Sequence, residues 1–104
     1  MLNIDENQNG SQLSFAPGDE FEITLAENPT TGFRWELEES PEPVCAIVLS
    51  VFNPHTSPAG YGGVHRWRFR AVQNGLATCK LNYKRPWEQK SAPERSFEIR
   101  LSVM

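Results

Sequence analysis

The thiols and imidazoles, the first candidates for nucleophilic or acid–base work at neutral pH, are Cys45, Cys79, His55 and His65. A thiol nucleophile needs a neighbouring base, and the base needs a third group to orient it. Both cysteines fall inside runs with strand periodicity, His55 lies in a proline-flanked loop, and His65 begins another strand-like run. Neither histidine has an evident carboxylate partner in the sequence. Two histidines at this separation give no metal-ligand spacing, and the cysteines form no C-x-x-C pair. No catalytic residue, no metal and no cofactor are therefore expected. The cysteines read either as two small buried apolar side chains or as a single bridge between strands.

The residue types suited to recognition lie in three other places. In Asn28-Pro29-Thr30-Thr31-Gly32-Phe33, Pro29 fixes its own φ and restricts Asn28. Gly32 permits a left-handed bend there, and two threonines offer hydroxyls with little bulk. In Gly60-Tyr61-Gly62-Gly63, three glycines around a tyrosine let the backbone approach a partner. This segment lacks the lysine of a phosphate loop and opens no helix, so phosphate binding is discounted. In Arg85-Pro86-Trp87-Glu88, the indole sits past a proline, off any strand pattern. Tryptophan and arginine are the types enriched at interface hot spots.

The elements that must position these loops are strands. Period-two alternation marks half-buried strands at Ser11 to Phe15, Asp19 to Leu25, Gly32 to Glu38, Val64 to Ala71, Leu76 to Tyr83 and Glu94 to Val103. Val44 to Phe52 is more continuously apolar, as in a strand buried on both faces or near a sheet edge. Trp35 and Trp67 fall on inward positions. Turn signals separate the runs at Ala16-Pro17-Gly18, Ser40 to Pro43 and Gln73-Asn74-Gly75. About seven short strands at regular spacing, with no convincing helix or repeat, predict an all-β, immunoglobulin-like two-sheet sandwich; a small barrel is the alternative. Successive antiparallel strands put alternate loops at opposite ends. The ordinary turns fall at one end, and the loops at 27–31, 53–63 and 84–93 fall together at the other. Loops gathered on a rigid scaffold make a binding surface.

The bulk numbers exclude other classes. The 104 residues form one domain, 1–104, and the formal net charge of −3 provides neither the basic face of a nucleic-acid binder nor a polybasic patch for an anionic membrane. No run approaches the ~18 apolar residues of a membrane-spanning helix. The polar, acidic start is no signal peptide, so a cytosolic protein or a mature secreted domain is expected.

The ordered set of loops resembles the chagasin-type inhibitors of papain-like cysteine peptidases. Asn28-Pro29-Thr30-Thr31-Gly32-Phe33 is similar to that family's first recognition loop, Gly60-Tyr61-Gly62-Gly63 to its Gly-x-Gly-Gly loop, and Arg85-Pro86-Trp87 to its third. The likeness spans nearly the whole chain; Tyr61 departs from the small residue of the family pattern. It implies a monomeric inhibitor of cathepsin L-like peptidases that is not an enzyme. It also implies Thr30 and Thr31 over the catalytic cysteine and histidine, and Gly60 to Gly63 along the unprimed side, with Tyr61 toward an apolar subsite. Trp87 would lie on the primed side, with Arg85 orienting its loop. A competing class is an immunoglobulin-like ligand- or carbohydrate-binding module using Tyr61 and Trp87 as stacking platforms.

Overall fold

The alternation of apolar and polar residues becomes two stacked four-stranded sheets in the computed structural model, which describes residues 1–54, 62–88 and 93–104. One sheet has the order β1-β3-β6-β5, from Leu2–Ile4, Glu20–Glu27, Gly63–Ala71 and Cys45–Pro54. The other has the order β2-β8-β7-β4, from Gln12–Phe15, Arg95–Val103, Gly75–Lys84 and Arg34–Glu39. Two separate sheets rule out the barrel. Among the described residues no helix is long and apolar enough to cross a membrane.

The inward positions fill the space between the sheets. Phe21, Ile23, Leu25, Trp67, Phe69 and Cys45 meet Trp35, Cys79, Leu81, Phe97, Ile99 and Leu101, all buried. Phe15, Phe21 and Phe69 stack in series, with ring centroids 4.7 and 5.3 Å apart. Burying each such side chain contributes about 1.5–3 kcal/mol. Cys45 and Cys79 are both free and buried. Burial pushes the Cys79 thiol up to about 12 and raises that of Cys45. They are packing residues, as the apolar alternative held.

Three details differ from the sequence pattern. The described residues contain eight strands rather than seven. The additional one, β1, has only three residues, too few to display a period; it pairs in parallel with β3 through Leu2↔Phe21 and Ile4↔Ile23. A one-turn 3-10 helix with an Asp5/Gln8 capping box then carries the chain across to β2, which pairs in parallel with β8. Second, β5 resolves to the edge position, with a bulge between Ile47 and Leu49 and with Ile47 and Val48 exposed. Third, Asn74-Gly75 joins strands of different sheets, so this turn bridges the sandwich instead of closing a hairpin.

The turns sort between the two ends as alternation requires. At one end the Gly18 N–H donates to the Ala71 carbonyl, and those of Val72 and Gln73 donate to Val44. At the other end the β3–β4 connection crosses between sheets. On either side of it stand the described ends of two strand pairs, β5–β6 from one sheet and β7–β8 from the other.

Candidate functional site

The central crossing is a capped turn built by its own residues. Pro29–Thr31 forms one turn of 3-10 helix, with Asn28 as its N-cap and Pro29 first in the turn, where a missing N–H costs nothing. The Asn28 Oδ1 accepts from the Thr30 N–H at 3.2 Å and from the Thr30 hydroxyl. The Thr31 hydroxyl donates to the Asn28 carbonyl at 2.7 Å, and the Thr31 N–H donates to the same oxygen at 3.2 Å. Both threonine hydroxyl protons are thus committed inside the loop. The exposed Thr30 and Thr31 present methyl groups and acceptor oxygens on a braced backbone.

The β7–β8 hairpin clamps this turn from one side. Arg85 to Glu88 is a tight turn, with the Glu88 N–H donating to the Arg85 carbonyl at 3.0 Å and Pro86 at the position that favours its fixed φ. The Arg85 Nε–H donates to the Thr31 carbonyl at 3.3 Å, and its guanidinium lies over the Phe33 ring at 4.5 Å. Phe33 also stacks on Tyr83 at 5.4 Å. Tyr83 in turn accepts the Asn28 N–H on its hydroxyl at 3.0 Å. Trp87, 68% exposed, rests against bare Gly32: a Cβ there would sit 2.5 Å from the indole Cη2. Gly32 has φ +84, the left-handed region in which side chains are strained.

The β5–β6 hairpin closes from the other side. Gly62, with φ +90, passes so close to the turn that a Cβ would meet the Glu27 carbonyl oxygen at 2.7 Å. Gly63 is buried and pairs with Glu27 on β3 and Pro54 on β5. Gly60 and Tyr61 lie outside the described residues, as does His55.

The residues singled out by sequence therefore divide. Thr30, Thr31, Pro86 and Trp87 are exposed. Asn28, Gly32, Phe33, Gly62, Gly63 and Arg85 brace them from below or beside. One expectation fails: His65 does have a carboxylate partner, the buried Glu27, whose Oε2 lies 3.2 Å from its Nδ1. The two are 38 residues apart, and β3–β6 pairing makes them neighbours. The signal was present in the alternation, because Glu27 occupies an inward position two residues beyond Leu25. Among the described residues, no group of three or more His, Cys, Asp or Glu side chains is placed to hold a metal ion.

A sandwich that braces three loops at one end, with an indole and two threonines outward, is a loop-presenting recognition module of the immunoglobulin-like class. The chain belongs to the chagasin family of peptidase inhibitors, I42, whose family model matches residues 14–101. It is 33% identical to chagasin of Trypanosoma cruzi over 105 residues, covering 96% of each chain. The fold is shared with the cysteine protease inhibitor EhICP2 from Entamoeba histolytica (TM-score 0.90, 24% identity, 99% of this chain and 95% of that one). It is also shared with PbICP-C, solved in complex with falcipain-2 (TM-score 0.68, 19% identity, 100% of both chains). This family makes the chain an inhibitor rather than an enzyme.

Proposed function

We propose that the chain is a reversible, tight-binding inhibitor of papain-like cysteine peptidases that occludes the active-site cleft with this loop end. Residues 1–104 act as one inhibitor domain and as a monomer. The observation that carries the reading is the internally satisfied threonine turn, held between two hairpins beside an exposed indole. Family membership and the falcipain-2 complex of a neighbour in fold supply the target class.

Such a peptidase has a thiolate–imidazolium pair in a cleft. Thr30 and Thr31 sit over that pair as a wedge. The wedge blocks substrate without offering the thiolate a well-placed scissile carbonyl, so no acyl-enzyme forms. Gly60 to Gly63 lie along the unprimed side, with Tyr61 toward an apolar subsite, and Trp87 lies against the primed side. Arg85 acts through the others, tying the third loop to the first. A standard interface buries about 800 Å² per partner, within reach of three loops. Because the threonine turn is held by Asn28, Tyr83 and Arg85 before binding, little ordering entropy is lost on association.

Titration against papain or a cathepsin L-like peptidase tests this, with residual activity as the readout. Stoichiometric inhibition is expected, weakened in Trp87→Ala and in Thr31→Ala with the fold intact. No inhibition at micromolar concentration sinks the proposal. A carbohydrate platform would want several exposed aromatics, and among the described residues Trp87 is the one strongly exposed ring.

A further inference from the structure

Beneath the loops, the apolar core ends in a polar chain that joins four strands. Glu27 is the last residue of β3 and only 4% exposed. Its Oε1 accepts the Trp35 backbone N–H at 2.7 Å, and its Oε2 meets the His65 Nδ1 at 3.2 Å. The His65 Nε2 lies 3.0 Å from the Ser50 hydroxyl, and the imidazole is stacked flat on Trp67 at 4.0 Å with 3° between planes. Glu27 immediately precedes the threonine turn, and Trp35 lies just beyond it. Ser50 and His65 stand on β5 and β6, the two legs of the glycine-bearing hairpin.

We propose that Glu27 is a positioning residue that ties the root of the threonine turn to the root of that hairpin. Its carboxylate keeps the tie complete whether His65 is neutral or charged. The consequence for inhibition rests on the inhibitor reading above. A carboxylate only accepts hydrogen bonds, so the His65 Nδ1 carries a proton toward Glu27 in both states. In the neutral ring the bare Nε2 accepts from the Ser50 hydroxyl. In the charged ring the Nε2–H donates to the Ser50 oxygen, which serves equally well as acceptor. Glu27 and both ring nitrogens are paired in each state, and the exposed Ser50 turns its hydroxyl proton to solvent when its oxygen accepts.

The other charged and titratable groups around the pair leave this accounting intact. From β7, Tyr83 engages Asn28 through its hydroxyl. From β8, Arg95 reaches over the Trp35 ring at 5.9 Å. On β6 itself, Arg66 and Arg68 bond Glu22 on the outer face of the sheet. From β4 it is the Trp35 backbone that faces Glu27, and from β5 the uncharged Ser50.

Glutamine at this position behaves differently. Its amide oxygen can keep the Trp35 N–H, and its NH₂ then faces the His65 Nδ1. That pairing requires a bare Nδ1, so the neutral ring must move its proton to Nε2. Charging the ring sets N–H against N–H and breaks the tie. Glu27→Gln should therefore convert a pH-tolerant clamp into a pH-sensitive one.

The test uses the full chain, with ¹⁵N NMR of His65, thermal unfolding, and inhibition of papain from pH 8 to pH 5, where imidazoles ordinarily change charge. Wild type should show an Nδ1–H ring at pH 8, and Glu27→Gln an Nε2–H ring. Relative to wild type at each pH, Glu27→Gln should inhibit within about threefold at pH 8 and be weaker by roughly tenfold at pH 5, the worth of one lost part-buried hydrogen-bond pairing. Its melting temperature should fall in parallel with acidification. Glu27→Ala should be weaker throughout the range. A flat ratio for Glu27→Gln, or an Nε2–H ring in wild type, overturns the proposal. So does turnover of an activated ester abolished by Ser50→Ala, since acid–imidazole–hydroxyl is also the order of a hydrolytic triad. A wild-type chain that inhibits no papain-like peptidase refutes the inhibitor reading, while tautomer and melting measurements on the free chain still decide the tie.

Discussion

Gly32→Ala isolates the contact between the threonine turn and Trp87. Two separate costs follow from the geometry. Alanine at φ +84 is strained by about 1–2 kcal/mol. That strain is present in free and bound chains alike, so it lowers stability without changing affinity. At about 1 kcal/mol it corresponds to a melting temperature lower by roughly 4–8 °C for a domain of this size. The second cost is steric. The new methyl would stand 2.5 Å from Cη2 and 3.2 Å from Cζ2 of Trp87. The ring is the exposed end of a side chain on an exposed turn, so it moves and the backbone stays. An interface anchor displaced in this way forfeits about 2 kcal/mol, or roughly thirtyfold in affinity. The assay is a double-mutant cycle: Ki against papain and melting temperature for wild type, Gly32→Ala, Trp87→Ala and the pair. In the Trp87→Ala background the steric cost vanishes, so Gly32→Ala should change Ki by less than about threefold while still lowering the melting temperature. An equal fold-loss of affinity in both backgrounds would refute the contact as the cause.

Other perturbations have outcomes as definite. Asn28→Ala removes the acceptor that holds the Thr30 N–H and hydroxyl; stability should fall by about 1 kcal/mol, with Ki rising further because the turn loses its bound shape, as melting and inhibition assays would read. Glu22 lies under Arg66 and Arg68, and its hydrogen bond to Arg66 holds its carboxyl below the usual carboxylate range. A lowered folded-state pKa stabilises above the ordinary value of 4.5 and is lost as pH falls through the folded one. Glu22→Gln should thus cost about 1 kcal/mol at pH 7, solvent at the partly exposed arginines screening the rest, and the gap to wild type should close on acidification in denaturant titrations. Cys79 and Cys45, buried and with thiols shifted upward, should resist a thiol reagent in the native chain at pH 8 and react at once in denaturant; fast native labelling would contradict their packing.

Much of the fold was legible because half-buried strands advertise themselves by period two. Phe21, Ile23 and Leu25, and likewise Trp67 and Phe69, fill the core from the positions that alternation assigns them. Strand parity alone also assigns the β3–β4, β5–β6 and β7–β8 connections to one end. β1 was illegible because three residues next to a polar turn carry no period. The edge place of β5 was one of two readings, since apolar continuity does not separate a doubly buried strand from a bulged edge. The exposed part of the loop surface was read from residue type alone, and Thr30, Thr31 and Trp87 are indeed outward.

What the sequence determined by itself was local: where strands run, where glycine and proline break them, and which side chains turn inward. These follow from dihedral preferences and from burial, which each residue carries with it. What only the tertiary structure decided was which loop residues hold and which are held. Arg85 meets Thr31 across 54 residues, Tyr83 meets Asn28 across 55, and His65 meets Glu27 across 38. Hydrogen bonds of this reach depend on strand register and sheet stacking. A one-residue slip would turn the strand residues among them, Glu27, His65 and Tyr83, to the opposite face.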